Sequence, residues 1–64
     1  MQKHYLKLVK LILEKEIISR TDAYDYLINK QNLTKEDSIC ILDALIENPL
    51  LNYNYKLNIF MPGQ

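Results

Sequence analysis

The sequence predicts an α+β fold: three helices followed by a short β-strand or β-hairpin at the C-terminus. Three observations lead there. Lys3 to about Glu16 is free of breakers and rich in Leu, Lys and Glu, all good helix formers. Ser19 with Asp22, and Thr34 with Asp37, have the spacing of a capping box, with Asp in place of the usual Glu. Beyond Pro49 the apolar period changes from that of a helix to that of a strand.

The first helix is placed near residues 3–16. Lys3, Lys7, Lys10 and Glu14 share one narrow stripe of it. Tyr5, Leu6, Leu8, Val9, Leu11, Ile12 and Leu13 cover an arc of roughly 240° at about 100° per residue. A surface helix needs an apolar stripe of only about 100° or a little more, so this one is expected at the centre of the fold or under a second molecule. Glu16-Ile17-Ile18-Ser19-Arg20 is short and β-branched and fits a three-residue strand. Ser19 or Thr21 starts the second helix, near residues 21–31, with Ala23, Tyr24, Leu27 and Ile28 inward. Gln31-Asn32-Leu33 is a turn in which Asn32 suits a left-handed backbone. The third helix is placed near 34–48, limited by Pro49, with Ile39, Leu42, Leu45 and Ile46 inward. Within 50–61, Tyr53, Tyr55, Leu57, Ile59 and Met61 alternate with Asn52, Asn54, Lys56 and Asn58, and Phe60 breaks the alternation. The segment is one half-buried strand, or two short strands joined near Asn54-Tyr55; it pairs with Ile17-Ile18, with itself, or with a second chain. The expected core is Leu8, Val9, Ile12, Leu27, Ile39, Leu42, Leu45 and Ile46.

At 64 residues, 48% hydrophobic and 25% charged, residues 1–64 form one small globular domain. A core of this size supplies about 3–5 kcal/mol, so staples or partners are common. Cys40 is the single cysteine, which excludes an internal disulfide, and one Cys with one His makes a zinc site unsupported. The longest apolar run, Ile39-Cys40-Ile41-Leu42, is far too short to span a membrane, and no segment resembles a signal peptide. A cytoplasmic location is expected. Leu, Ile, Lys and Asn make up half of the chain, which suggests A/T-rich codons and fits a phage or mobile element.

Net charge is zero, whereas nucleic-acid binders usually carry a basic surplus. The distribution says more than the total. Residues 1–20 hold Lys3, Lys7, Lys10, Lys15 and Arg20 against Glu14 and Glu16; residues 21–49 hold Lys30 and Lys35 against Asp22, Asp25, Glu36, Asp37, Asp43 and Glu47. The first helix is basic and the middle of the chain acidic.

From Ser19 to Leu51 the chain resembles a winged helix-turn-helix domain. Ser19-Arg20-Thr21-Asp22-Ala23 resembles the start of that family's second helix, and Leu33-Thr34-Lys35 its Leu-Ser-Lys lead-in to the recognition helix. Leu42, Leu45 and Pro49-Leu50-Leu51 stand where the family commonly has Leu, Leu and Gly-Leu-Ile. The resemblance covers about half of the chain and implies a winged-helix-like fold. DNA-reading members place polar and basic side chains on the outer face of the third helix. Here those positions hold Glu36, Asp37, Cys40, Asp43 and Ala44, and carboxylates repel phosphates. The resemblance therefore implies a winged helix with a degenerate recognition helix. The wing holds no Gly, and Asn54 is its good turn former.

No catalytic or metal-binding constellation is found, and no cofactor is implied. His4 has no Ser, Cys or carboxylate partner near it and is expected on the exposed start of the first helix. Cys40 reads as a small core hydrophobe. Glu36, Asp43 and Glu47 spread along the helix rather than clustering as calcium ligands do. Gly63 is the sole glycine, so no phosphate loop exists.

Two functions remain. The first is a non-enzymatic regulatory module that binds and modulates or inhibits a host protein, with Glu36, Asp37, Asp43, Glu47, Leu6, Leu13, Tyr53 and Tyr55 as contact residues. The alternative is a dimeric winged-helix DNA-binding transcriptional regulator using Lys3, Lys7, Lys10, Lys35, Ser38 and Lys56. A homodimer is expected to cover the surplus apolar surface through Leu6, Leu13 and Tyr53–Ile59.

Overall fold

A computed structural model describes residues 2–63. The helix α1 (Gln2–Lys15) is followed by the two-residue strand β1 (Ile18–Ser19) and by α2 (Arg20–Asp25), which continues as a π-helical turn over Tyr26–Lys30. Then come α3 (Lys35–Ile46) and a hairpin of β2 (Leu51–Asn54) and β3 (Ile59–Pro62). The sheet is antiparallel with strand order β1-β3-β2. Three helices with strands at the C-terminus make an α+β fold, and this order is compatible with a winged-helix-like topology.

Local chemistry sets the boundaries. α1 stops because Glu16 turns left-handed at φ 74°, where its N–H donates to the Ile12 carbonyl at 2.8 Å and satisfies one of the helix's last acceptors. Ser19, of the two N-caps considered, is the one used: its Oγ accepts from the Asp22 N–H at 3.0 Å. Thr34 caps α3 in the same way, accepting from Asp37 at 3.1 Å. Asn32 is left-handed at φ 58°, as its short polar side chain allows. The second helix is not uniformly α-helical as the sequence suggests. Its last five residues widen into a π turn, closed by the Gln31 N–H to the Tyr26 carbonyl at 3.2 Å and by Gln31 Nε2 to the Tyr26 hydroxyl at 3.1 Å.

The C-terminal segment is a hairpin, and β3 is its centre. β3 pairs with β2 (Tyr53 opposite Phe60) and with β1 (Ile18 opposite Phe60). The turn lacks glycine but uses two asparagines. Asn54 Oδ1 accepts from the Lys56 and Leu57 N–H groups at 2.9 and 3.0 Å, and Asn58 is left-handed at φ 53°. The four residues between the strands also reset the face parity. Ile59 and Met61 do not continue the face of Tyr53; Phe60 does, and it is fully buried. The residue that breaks the sequence alternation is thus the largest side chain of the core.

The core comprises Leu8, Val9 and Ile12 of α1, Ile18, Ala23, Leu27, Ile41, Leu42 and Leu45, with Leu51 and Phe60 from the hairpin. Two expected members are displaced. Ile39 is 46% exposed and Ile46 only half-buried, because α3 is rotated so that Ser38, Ile41, Leu42 and Leu45 face inward. Apolar residues spread widely around α3, and the centre of the buried face is a serine, so periodicity pointed about 60° away at roughly 100° per residue. Cys40, expected inside, is exposed on the same account. α1 is not central to the fold. It buries an ordinary stripe and leaves Leu6 and Leu13 at 54% and 44% exposure.

Candidate functional site

Two elements build a depression in the surface. α2 starts at the Ser19 cap, so Arg20, Thr21 and Tyr24 fall on its first turns; α3 presents Ile39 beside the buried Leu42. Between them lies an open depression of about 350 Å³ lined by Arg20, Thr21, Tyr24, Ile39 and Leu42. Arg20 Nη2 donates across its rim to Asp43 Oδ1 at 3.4 Å. The Asp43 side chain remains 65% exposed, so this pair adds little to stability.

The outward face of α3 runs on from this depression. Glu36, Cys40, Asp43, Ala44 and Glu47 are all exposed with Ile39. Residues three and four apart are neighbours on a helix, so Ile39 lies beside Glu36 and Asp43 on one side of them, and Cys40 beside the same two on the other. The face is therefore acidic along its middle, where Glu36, Asp43 and Glu47 align, and apolar along its edges, with Ile39 on one side and Cys40 and Ala44 on the other. Asp37 is half-buried, held where its N–H meets the Thr34 cap.

The other expected contact residues divide. Leu6 and Leu13 are exposed on α1, seven residues apart and so on one side of it. Tyr55 is exposed in the hairpin turn. Tyr53 is occupied within the hairpin: its ring lies 4.7 Å from Phe60 and 5.0 Å, edge-on, from Tyr55, and its hydroxyl donates to Asn58 Oδ1 at 2.9 Å. Tyr53 thus packs the hairpin rather than offering a free contact.

Of the residues assigned to DNA in the alternative, Lys3, Lys7, Lys10, Lys35 and Lys56 are exposed. Ser38 is not: its side chain is fully buried at the centre of the inward face of α3, and its Oγ has no hydrogen-bond partner among the described residues. Ser38 cannot reach a base or a phosphate. Lys35 and Lys56 come from α3 and the hairpin turn, while Lys3, Lys7 and Lys10 belong to α1.

His4 is half-buried rather than exposed, because Nδ1 hydrogen-bonds to Gln31 Oε1 at 2.7 Å and ties the start of α1 to the end of the π turn. No three His, Cys, Asp or Glu side chains gather to hold a metal ion among the described residues. Among the described residues no helix is long and apolar enough to cross a membrane.

Sequence reasoning named the acids of α3 but missed Arg20, Thr21, Tyr24 and Ile39 as lining. Ile39 carries a usable signal, since an isoleucine flanked by acids at i−3 and i+4 lies on an acidic helix face. Arg20, Thr21 and Tyr24 reach it only through the packing of α2 on α3. No protein-family model, no curated protein and no solved structure matches this chain.

Proposed function

We propose that this chain is a small non-enzymatic regulatory module, cytoplasmic and encoded by a phage or mobile element, that binds a host protein through the α2–α3 face and modulates or inhibits it. The observation that carries the reading is the depression between α2 and α3, where exposed Ile39 lies beside Tyr24 and Leu42 and is bordered by the exposed acids Glu36 and Asp43. An apolar depression with a charged border is the make-up of a protein contact. The same carboxylates oppose phosphate, which disfavours DNA on this face.

The experiment is a pull-down from a lysate of the source organism, with wild type beside an Ile39→Glu/Ala44→Arg variant. A defined protein retained by wild type, lost with the variant, and bound again as a purified pair is the expected result. Equal capture by both chains would remove the α2–α3 face from the function.

The alternative, a dimeric winged-helix DNA-binding regulator, draws support from the element order and from exposed Lys35 and Lys56. Its signature is retarded mobility of random-sequence DNA at low salt that disappears in a Lys35→Glu/Lys56→Glu variant. Unretarded DNA at high protein excess excludes it.

A further inference from the structure

α1 and α3 carry matching stripes on surfaces that the fold leaves open. On α1, Lys3, Leu6, Lys10 and Leu13 follow one another at i, i+3, i+7 and i+10, and all four are exposed. On α3, Glu36, Ile39, Asp43 and Ile46 follow at the same spacing; the first three are exposed and Ile46 is half-buried. This is the a/d spacing by which two helices pack side by side. Residues seven apart on a helix are separated by about 10.5 Å, so the Lys3–Lys10 pair and the Glu36–Asp43 pair have the same span.

We propose that a second copy of this chain docks α1 in parallel along the acidic face of α3. In that register Lys3 meets Glu36, Leu6 meets Ile39, Lys10 meets Asp43 and Leu13 meets Ile46. Both apolar layers pair, and both charge layers pair with opposite sign. Leu6 enters the depression lined by Arg20, Thr21, Tyr24, Ile39 and Leu42. Arg20 holds Asp43 through Oδ1 only, so Lys10 takes the other carboxylate oxygen. The reverse orientation sets Lys against Ile and Leu against acid in every layer, and α1 against α1 brings lysine stripes together. Charge therefore selects both partner and direction.

Lys7 comes beside Lys35 in this register, a like-charge neighbour that keeps the contact weak. The contact joins unlike surfaces, so it closes on itself where two copies satisfy both contacts at once and runs head-to-tail where they do not. It needs no foreign protein, and it covers the face through which a host partner would bind.

The test is sedimentation of the purified full chain from about 10 µM to several hundred µM, the range suited to a small contact. The expected wild-type result is a weight-average mass that rises with concentration and falls back with added salt. Lys3→Glu/Lys10→Glu and Glu36→Lys/Asp43→Lys should each be monomeric. The four changes combined in one chain, whose net charge is again zero, should restore association, because the pairs are exchanged rather than lost. All four positions are exposed. Far-ultraviolet circular dichroism of each variant confirms that the fold is kept, and the combined variant controls for any fold defect of its parents. A wild type that stays monomeric throughout, or association that either charge reversal leaves unchanged, overturns the proposal. Failure here is read on the purified chain and failure of the host-partner reading in the pull-down, so the two are separable.

Discussion

The side-chain amide of Asn48 donates to the Tyr5 hydroxyl at 2.6 Å, joining the end of α3 to the first turn of α1 across 43 residues of chain. The same side chain turns its Oδ1 to the Leu50 N–H at 2.7 Å. One asparagine thus closes α3, orients the chain into β2 and anchors α1.

Removing this junction is expected to cost stability in two steps. Tyr5→Phe keeps the ring and loses one hydrogen bond, for about 0.5–1.5 kcal/mol. Asn48→Ala loses both bonds and should cost more, about 1–3 kcal/mol. Urea denaturation of the two variants measures the difference. An Asn48→Ala chain as stable as wild type would place the bond outside the energetics of the fold.

The rotation of α3 predicts opposite outcomes for two neighbouring apolar residues. Leu42 is buried, so Leu42→Ala should cost about 2–5 kcal/mol, most of what so small a domain has. Ile39 is half in solvent, so Ile39→Ala should cost well under that, about 0.5–1 kcal/mol. Thermal melts followed by circular dichroism compare them directly; equal losses would return Ile39 to the core.

Ser38 buries its hydroxyl fully, without a partner among the described residues. A buried polar group without a hydrogen bond costs about 1–3 kcal/mol. Ser38→Ala removes the group with little change of volume and should stabilise the chain by about 1 kcal/mol, a rise of about 4–8 °C in Tm. A Tm below wild type would reveal a bond made by the hydroxyl.

Glu16 adopts a left-handed backbone at φ 74°, a conformation that costs an L-residue with a long side chain about 1–2 kcal/mol. Its side chain is exposed and makes no hydrogen bond or ion pair among the described residues. Glu16→Gly should therefore stabilise by about 0.5–1 kcal/mol, glycine's extra unfolded-state freedom offsetting part of the relief. The midpoint of a urea titration reads the sign, and a lower midpoint would contradict the strain.

What the sequence determined by itself is what depends on residues close in the chain. Ser19 and Thr34 are bonded to N–H groups three residues on, Asn32 bends its own backbone, and Pro49 blocks the helix just before it; each is a local energy that the sequence displays directly. The three helices, the change to strand after Pro49 and most of the core followed from such signals. The acids on the outer face of α3 were legible for the same reason, since spacing along one helix is enough to align them.

Tertiary structure alone decided which way α3 faces and which face Phe60 takes. Both Ile39 and Ile41 flank the Leu42–Leu45 row, and the choice between them rests on what α2, α1 and the hairpin offer as partners, not on the helix. Phe60 reaches the core because a four-residue turn, closed by Asn54 and Asn58, resets the alternation between β2 and β3 and sets Phe60 opposite both Tyr53 and Ile18. Helical and strand periods record the spacing of apolar residues within an element. Their phase relative to the rest of the molecule is fixed by long-range packing, where burying one set of side chains excludes another.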